Sequence, residues 1–377
     1  MYINTPKNNQ MKIINVEPWI TNAESHHLSK VIKKTFLTEN KETELFEKNI
    51  RQRFNSKVAI TVNNWTSGLF IILKALNLKK DDEVIIPNLT FIATANAVIY
   101  AGAKPVLCDI DPKNLSIDLK KVKKLISKKT KCIIPVHLYG HCCNLDELKK
   151  ISGKNIVVLE DAAQAIGAKF KNNFLGTIGD FGGYSFYGNK IVTTGEGGVI
   201  LTNKKSFKKK LYMQKNHGRH QKGSFKHENI GFNFMFTEMQ AAIGNIQLKK
   251  LNKILNKKKE IFYRYKKNLN GIGDINFMSP IKENKPVYWF SNIFTKKKLK
   301  LKRYLNKKKI ETRDFFYPLN KQPCYRNKKK IIKNLSNSFP FSENAYNTGL
   351  SLPSSYSLKL KQVDYICKNI KNFYLTK

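Results

Sequence analysis

Lys190 and Asp161 are the two side chains of this sequence on which covalent chemistry can be built. Asp161 follows a strand-like apolar run at residues 156–159, and Lys190 follows a second short strand at residues 182–186 and a Gly-Asn turn. The carboxyl ends of parallel strands lie at one edge of a sheet, so both side chains should face the same crevice. A lysine held among glycines and aromatic residues can lose its proton and attack an aldehyde. That chemistry is the requirement of a Schiff base with pyridoxal 5'-phosphate (PLP), whose pyridine nitrogen needs an acidic partner such as Asp161.

A phosphate site is predicted where an early strand turns into a helix. Residues 58–62 indicate a buried strand, residues 63–68 (NNWTSG) a polar turn, and residues 69–76 an apolar helix. Free backbone N–H groups and the helix dipole favour a phosphate at such a helix N-terminus. Thr66 and Ser67 are therefore predicted to bind phosphate. Simple N-capping of the helix by one of these hydroxyls is the alternative.

Strands and helices alternate along the first half of the chain. Apolar runs at residues 84–86, 105–110 and 132–136 are separated by helical patterns. This alternation is the mark of an α/β fold in which helices cover both faces of a mainly parallel sheet. A length of 377 residues favours one large domain and a smaller one. We expect a large cofactor-binding domain over residues 1–250 and a small domain over residues 251–377, with the first ~20 residues as candidates for packing on the small domain.

Three segments carry a resemblance to a known family: residues 160–164 (EDAAQ), 185–190 (SFYGNK) and 195–198 (GEGG). In their order and spacing they resemble the sugar-nucleotide aminotransferases of the DegT/DnrJ/EryC1/StrS family, and the likeness extends from about residue 18 to the last helix. These enzymes are fold-type I PLP-dependent transferases. The resemblance therefore implies a mainly parallel sheet covered by helices, a smaller C-terminal α+β domain, and PLP as the cofactor.

The resemblance also implies a role for each matching residue of the site. Lys190 would hold the cofactor and then act as general acid and base for proton transfer. Asp161 would keep the ring nitrogen protonated, and Gln164 would contact the phenolic oxygen of the ring. Phe91 would stack on the ring, with a place in the apolar core as the alternative. Four residues would fix the phosphate: Thr66, Ser67, Ser185 and Asn233.

The segment after Asn233 departs from the family pattern. The family commonly has Lys or Arg and then Met where this chain has Met235 and Phe236. This difference removes a cation from the neighbourhood of the site. The resemblance therefore carries over Asn233 but no basic residue beside it, and the effect on the site stays open.

Two further residues are candidates for substrate binding. His137 begins a segment (HLYG) that matches the family at a strand end near the cofactor, and a purely structural histidine is the alternative. Arg313 resembles a basic residue of the small domain that can meet a substrate anion, and a surface salt bridge is its alternative. A metal site is not predicted, because His137, His141, Cys142 and Cys143 lack the spacing of a closed zinc site.

The charge of the chain is strongly positive and needs a separate interpretation. Lys and Arg number 69 against 27 Asp and Glu, which gives a formal net charge of +42. Such an excess can indicate nucleic acid, an anionic membrane surface or a phosphorylated ligand as partner. Here the lysines are spread along the chain, which favours solvated surface lysines. The densest run, residues 296–309, predicts a helix with one buried face rather than a helix lying on a membrane.

The cellular compartment is predicted from the lack of a membrane-spanning run and of a signal-peptide profile in this sequence. No apolar run approaches 18 residues and the N-terminus has no signal-peptide profile, so we expect a cytoplasmic protein without a membrane partner. The six cysteines do not form a spaced disulfide framework and are expected to be reduced thiols.

The function that the resemblance implies is amination of a nucleotide-linked keto-deoxysugar, with L-glutamate as the usual donor. Residues 310–319 are most similar to members that aminate C4 of a 4-keto-6-deoxyhexose, perosamine synthases among them. In the family the residue matching Asn233 reaches the cofactor phosphate of a neighbouring subunit, which implies a homodimer with shared active sites. The nucleotide (GDP, dTDP or UDP), the sugar configuration and the choice between C3 and C4 stay open.

Two other classes of function are considered. A PLP-dependent sugar-nucleotide dehydratase of the same family would carry histidine at the lysine position, so Lys190 argues against it. A basic protein that binds nucleic acid or an anionic surface on this fold is indicated by the overall charge alone, and we predict no nucleic-acid partner.

Overall fold

The computed structural model describes residues 12–221 and 223–375 of the chain. Within them the helices are α1 (Asn22–Lys33), α2 (Lys41–Phe54), α3 (Trp65–Ala75), α4 (Ala93–Tyr100), α5 (Leu119–Leu125), α6 (Leu145–Ser152), α7 (Phe207–Lys215), α8 (Glu238–Leu269), α9 (Lys298–Lys307), α10 (Pro340–Thr348) and α11 (Leu360–Leu375). Short 3-10 helices span Leu138–Gly140, Leu319–Lys321 and Pro323–Tyr325. The longer strands are β1 (Val58–Val62), β2 (Glu83–Pro87), β3 (Lys104–Cys108), β4 (Thr130–Ile133), β5 (Val157–Asp161), β8 (Phe181–Ser185), β9 (Gly198–Thr202), β12 (Ser291–Phe294) and β14 (Gly349–Leu352). The two-residue strands are β6 (Lys169–Phe170), β7 (Asn173–Phe174), β10 (Asn276–Phe277), β11 (Asn284–Lys285) and β13 (Arg313–Asp314).

A seven-stranded sheet forms the centre of the described chain, in the order β1-β9-β8-β5-β4-β2-β3. The pairs that join β3, β2, β4, β5 and β8 are parallel, whereas β9 is antiparallel to both of its neighbours. Helices lie on both faces, since parallel strands need crossover connections that cover the sheet. The prediction of an α/β fold with a mainly parallel sheet is confirmed.

The strands of the large sheet are apolar on both faces, and each face contributes to a separate hydrophobic core. In β2, Val84 and Ile86 belong to the core that contains α3 and α4, while Ile85 belongs to the core that contains α2 and α6. This alternation follows from the two-residue period of a strand. A sheet buried on both faces leaves its strand ends as the places where polar side chains can meet a ligand.

A second, smaller sheet has the order β10-β12-β14-β13 and packs with α9 and α11 around a third core. The long helix α8 joins the two parts, because Leu248 and Leu251 belong to a core of the large sheet while Ile261 and Tyr265 belong to the third core. The predicted boundary at residues 250 and 251 falls inside this helix.

Two segments link the small sheet with other parts of the described chain. The connection from β13 to β14 contributes Leu319, Ile332 and Phe339 to a core of the large sheet. Ile13 belongs to the third core and Asn15 donates a hydrogen bond to the carbonyl of Ser351 in β14, so the described part of the first 20 residues does contact the small sheet. Residues 1–11 lie outside the described residues. The division into residues 1–250 and 251–377 stays a prediction.

The basic run at residues 296–309 forms α9, which buries Leu301 and Leu305 in the third core and leaves Leu299 exposed. The predicted helix with one buried face is confirmed. Across the residues that the structure describes, none of the helices combines the length and the apolar character needed to cross a bilayer.

Gly183 of β8 lets α3 pack closely on the sheet. A methyl group at Gly183 would collide with the carbonyl oxygen of Val199 and with the ring of Trp65, and neither the strand backbone nor the buried ring is a flexible end that can move aside. We predict that Gly183→Ala lowers the free energy of unfolding by about 2 kcal/mol or more, the upper range for overpacking a core. Urea unfolding of the cofactor-free protein measures this loss.

Gly188→Ala is the matched control, because a methyl group there would lie no closer than 3.7 Å to the carbonyl oxygen of Gly195. It should change stability by less than about 0.5 kcal/mol, as an unstrained surface change does. Equal stability of the two variants would show that the contact between α3 and β8 is not tight.

Candidate active site

The predicted site residues meet at the carboxyl edge of the central sheet. Strand β5 ends at Asp161, β8 ends at Ser185, and α3 begins directly after β1, so three strand ends deliver polar groups to one place. They surround a cavity of about 680 Å³. Eight of the ten predicted site residues line it: Thr66, Ser67, Phe91, Asp161, Gln164, Ser185, Lys190 and Arg313.

Lys190 lies in the loop between β8 and β9 and reaches into the cavity. Its Nζ lies 4.1 Å from the ring centroid of Trp289, and the indole of Trp289 donates a 2.7 Å hydrogen bond to the carbonyl of Asn189. Burial lowers the pKa of Lys190 to about 7, the Asp161 carboxylate opposes this shift and the Arg313 guanidinium adds to it. The amine is therefore available in its unprotonated form near neutral pH. Trp289 was not predicted from the sequence.

Asp161 is held by donors from two helices. Its Oδ1 accepts hydrogen bonds from the indole Nε1 of Trp65 at 2.8 Å and from the backbone N–H of Ala163 at 3.2 Å. Its Oδ2 accepts one from the hydroxyl of Thr94 at 2.8 Å. A carboxylate has about four acceptor positions, so Oδ2 keeps one for a further donor. Sequence reasoning missed Trp65 and Thr94, although a buried indole N–H does call for an acceptor.

Gln164 lines the cavity with one side of its amide group already bonded. Its Oε1 accepts a 2.9 Å hydrogen bond from the backbone N–H of Tyr139, which leaves the Nε2 group as the donor for a ligand. Tyr139 is buried with φ of 55°, a left-handed conformation that is strained for a bulky residue. The ring centroid of Tyr139 lies 4.9 Å from that of Phe315 and 6.0 Å from that of Phe316.

The helix that follows β1 is capped by Asn64, not by the predicted phosphate residues. The side chain of Asn64 accepts from the backbone N–H of Ser67 at 2.9 Å and from its hydroxyl at 3.1 Å. The alternative interpretation of Thr66 and Ser67 as N-caps is therefore wrong. Both lie in the first turn of α3 and line the cavity. Ser185, at the end of β8, lines the same cavity.

Phe91 lines the cavity with a ring that is 54% exposed. Its nearest ring neighbour is Phe316, at 5.9 Å between centroids. A ring so exposed does not belong to the apolar core, which removes the alternative to a stacking role. The arrangement leaves an aromatic face free for a flat ligand ring.

His137 does not line this cavity. It is 0% exposed, and its Nε2 bonds to Oε2 of Glu160 at 2.8 Å. Burial would raise the pKa of Glu160, but the hydrogen bond and charge of His137 and the backbone N–H groups of Gly176 and Gly179 outweigh burial, so the pKa lies below its ordinary value. The prediction that His137 binds substrate is therefore wrong, because a side chain without exposed surface cannot touch a ligand. The alternative, a structural histidine, fits its bond to Glu160.

Asn233 is also outside the cavity of its own chain. It is exposed, while its neighbours Phe232 and Phe234 line the cavity. Successive side chains of an extended segment point to opposite sides, which explains the separation. The two residues that differ from the family pattern follow Phe234. Met235 is partly buried, and Phe236 is fully buried with its ring centroid 6.0 Å from that of Phe46.

Arg313 faces the cavity as a cation. Its guanidinium lies 5.6 Å from the ring centroid of Phe290. The adjacent carboxylate, Asp314, forms ion pairs with Lys298 and Lys302 instead. Among the described residues, the surface salt bridge considered for Arg313 is therefore not formed. An exposed guanidinium at a cavity wall can bind a carboxylate or a phosphate.

The groups of this cavity fit PLP. An amine with a pKa of about 7 suits the aldehyde, and an acceptor position on Asp161 Oδ2 suits a protonated ring nitrogen. The amide nitrogen of Gln164 suits a phenolic oxygen and the exposed ring of Phe91 a flat pyridine. The first turn of α3 suits a phosphate.

Comparisons with known proteins agree with this geometry. The model of the DegT/DnrJ/EryC1/StrS aminotransferase family matches residues 18–371. GDP-perosamine synthase of Escherichia coli O157:H7 is 36% identical over 376 residues, which cover 97% of this chain and 100% of that protein. GDP-perosamine synthase of Vibrio cholerae is 32% identical over 368 residues, which cover 95% and 98%.

A solved structure shows the same fold around the same class of cofactor. The PLP form of the protein Spr1654 of Streptococcus pneumoniae superposes with a TM-score of 0.90 at 25% identity, over 97% of this chain and 99% of that chain. With a family match over nearly its whole length, this chain belongs to the PLP-dependent DegT/DnrJ/EryC1/StrS aminotransferase family.

Proposed function

We propose that this enzyme transfers an amino group from L-glutamate to the keto carbon of a nucleotide-linked keto-deoxysugar. The favoured sugar is a 4-keto-6-deoxyhexose. The observation that carries the proposal is the placement of Lys190, with a pKa of about 7, in one cavity with the carboxylate of Asp161. The substrate class is supported by the two GDP-perosamine synthases at 36% and 32% identity over nearly the whole chain.

Lys190 and Asp161 divide the chemical work. Bound PLP supplies an aldehyde that carries the amino group and a ring that withdraws electrons from the adjacent carbon. Lys190 Nζ would hold the cofactor through its free amine, and as general acid and base it would take up and return the proton that moves during transfer. A pKa near the working pH suits both tasks, because both protonation states are then accessible. Asp161 keeps the proton on the ring nitrogen through a charge-assisted hydrogen bond.

The remaining residues bind and orient. Thr66, Ser67 and Ser185 hold the phosphate at the start of α3, where backbone N–H groups and the helix dipole favour an anion. Phe91 packs its exposed face on the pyridine ring, and Gln164 donates from Nε2 to the phenolic oxygen. The substrates themselves are anionic, and Arg313 is the cation at the cavity wall that would meet the glutamate carboxylate or the nucleotide diphosphate.

The working unit in this proposal is a homodimer with shared active sites. Asn233 leaves the cavity of its own chain and is exposed, so it is free to reach the phosphate of a partner subunit. The same loop exposes Phe225 at 88% and Ile230 at 91%, apolar surface that a second copy would cover.

The amine of Lys190 can be tested without cofactor. We predict that a limiting amine-reactive reagent labels Lys190 of the cofactor-free protein with a rate that rises through a midpoint near pH 7, since the reactive form exists above its pKa of about 7. Asp161→Asn should lower the midpoint, because the carboxylate raises this pKa. Arg313→Met should raise it, because the guanidinium lowers this pKa. Peptide mass spectrometry over a pH series gives the midpoints.

Lys258 is the internal control for accessibility. Burial lowers its pKa to about 7 as well, but its Nζ is buried and donates to the carbonyls of Trp289 at 3.0 Å and Ser354 at 2.7 Å. It should therefore be labelled slowly at every pH. A Lys190 midpoint near that of surface lysines, about 10.4, would contradict the proposed nucleophile.

Turnover is expected with GDP-, dTDP- or UDP-linked 4-keto-6-deoxysugars and glutamate, read by mass spectrometry as gain of nitrogen at the keto carbon. Lys190→Arg should abolish turnover, because a guanidinium keeps the charge but cannot bond to the aldehyde or move a proton at neutral pH. Lys80→Arg makes the same change on the exposed surface and should leave turnover unchanged. Amination of a free keto acid but of none of the sugars would overturn the substrate class, and loss of oxygen without gain of nitrogen would indicate the dehydratase.

Mixed dimers test the sharing of sites. A Lys190→Ala chain combined with an Asn233→Ala chain, each inactive or strongly impaired alone, should give a dimer with one intact and one doubly altered site. Activity should then return to about half of wild type per mixed dimer, since the intact half of an isologous pair is complete. Tagged purification of the mixed species and assay with the sugar substrate measure this. Well-folded mixed dimers without recovered activity would rule out Asn233 acting across the interface.

A further inference from the structure

Trp65 lies in the cavity wall, and the proposed function assigns it no role. It is the first residue of α3, directly before Thr66, and is 4% exposed. Its indole Nε1 lies 2.8 Å from Oδ1 of Asp161, which is itself 5% exposed. Methyl groups placed on Gly68 or Gly183 would strike the indole ring, so the ring has little room to change its position.

The hydrogen bonds around Asp161 determine which way the carboxylate faces. Oδ1 is occupied by Trp65 and by the backbone N–H of Ala163, whereas Oδ2 is bonded to Thr94 and keeps one acceptor position. Rotation of the carboxylate away from this arrangement would leave a buried indole N–H without a partner, which is costly. The ring nitrogen of the cofactor is thereby directed to Oδ2.

The two side-chain donors do not constrain Asp161 equally. The hydroxyl hydrogen of Thr94 can rotate to follow a displaced carboxylate. The indole N–H of Trp65 has one fixed direction, and close packing at Gly68 and Gly183 holds the ring in place. Trp65 therefore fixes the direction of the carboxylate more strictly than Thr94 does.

We propose that Trp65 is a positioning residue that turns Oδ2 of Asp161 toward the ring nitrogen of PLP. The same residue begins the helix whose first turn holds Thr66 and Ser67, so it joins the carboxylate and the phosphate-binding turn through one buried side chain. The separation between the two ends of the cofactor site is fixed by this link. The inference rests on the proposed pairing of Asp161 with the ring nitrogen.

The protonation of that nitrogen is the direct measurement. The holoenzyme is reconstituted with PLP carrying 15N at the pyridine nitrogen, and the 15N chemical shift is followed over a pH series. We expect a protonated ring in the wild type. In Trp65→Phe, which keeps an aromatic ring but removes the N–H, Oδ2 is no longer held toward the ring nitrogen. The midpoint for loss of the ring proton should then fall by about 1 to 2 pH units, the equivalent of the charge-assisted hydrogen bond between Asp161 and that nitrogen.

Two further variants calibrate this result. Thr94→Val should lower the midpoint less than Trp65→Phe, because the hydroxyl of Thr94 can follow the carboxylate and fixes its direction less strictly than the packed indole does. Trp19→Phe is the matched control, since Trp19 stacks on Tyr356 at 3.7 Å and is not part of the cavity wall. Its midpoint should equal that of the wild type. The kcat of Trp65→Phe should fall roughly 10- to 100-fold in parallel.

Asp161→Asn separates the inference from the proposed function. If the ring stays protonated in Asp161→Asn, the pairing of Asp161 with the ring nitrogen is wrong. If Asp161→Asn loses the ring proton while Trp65→Phe keeps the wild-type midpoint, the pairing stands and the role of Trp65 is overturned.

A second measurement covers the case in which Trp65→Phe does not fold. The chain has three tryptophans, so three indole N–H signals are expected in the NMR spectrum of the 15N-labelled enzyme. Phe variants of Trp19 and Trp289 identify the signal of Trp65 by elimination. That signal should move in Asp161→Asn more than the other two, and an unmoved Trp65 signal would overturn the hydrogen bond on which the inference depends.

Discussion

The burial of one negative charge at the end of β5 is the constraint on which this site depends. A carboxylate removed from water is costly unless donors surround it, and Asp161 receives them from α3, α4 and its own strand end. The same charge raises the pKa of Lys190 while burial of the amine lowers it. The two effects together leave the pKa of the amine close to neutral pH. The sheet contributes by bringing β5 and β8 side by side, so that the acid and the amine face one cavity.

Glu160 and Asp161 show how neighbouring carboxylates acquire different functions from strand geometry. Successive strand residues point to opposite faces, so only one of the two can meet the cavity. Glu160 turns to the other side and accepts from Gly176, Ile178, Gly179 and His137. It organises the loop that leads into β8, which in turn carries the residues before Lys190. One carboxylate is available to the cofactor and the other supports the backbone around it.

The sequence predicted the elements of this site better than its contacts. Strand-end positions and a glycine-rich loop were enough to predict that Asp161 and Lys190 face one crevice, because those signals are local. Trp289 could not be found in this way, since it contacts a loop 100 residues earlier in the chain. The side-chain directions of His137 and Asn233 were equally inaccessible. Both stand beside cavity residues in sequence, and a change of one position along an extended segment moves a side chain from the cavity to the other face.

Trp289 connects the small sheet with the site. This residue lies two positions before β12, covers Lys190 with its ring and receives a hydrogen bond on its carbonyl from Lys258 of α8. Burial lowers the pKa of Lys258 to about 7, so its charge changes over the range in which the enzyme would work. An unprotonated amine still carries two N–H groups, and Lys258 has two acceptors, the carbonyls of Trp289 and Ser354. The link from α8 to the ring over Lys190 can therefore persist in both protonation states, which separates the position of Trp289 from the titration of the lysine that holds it.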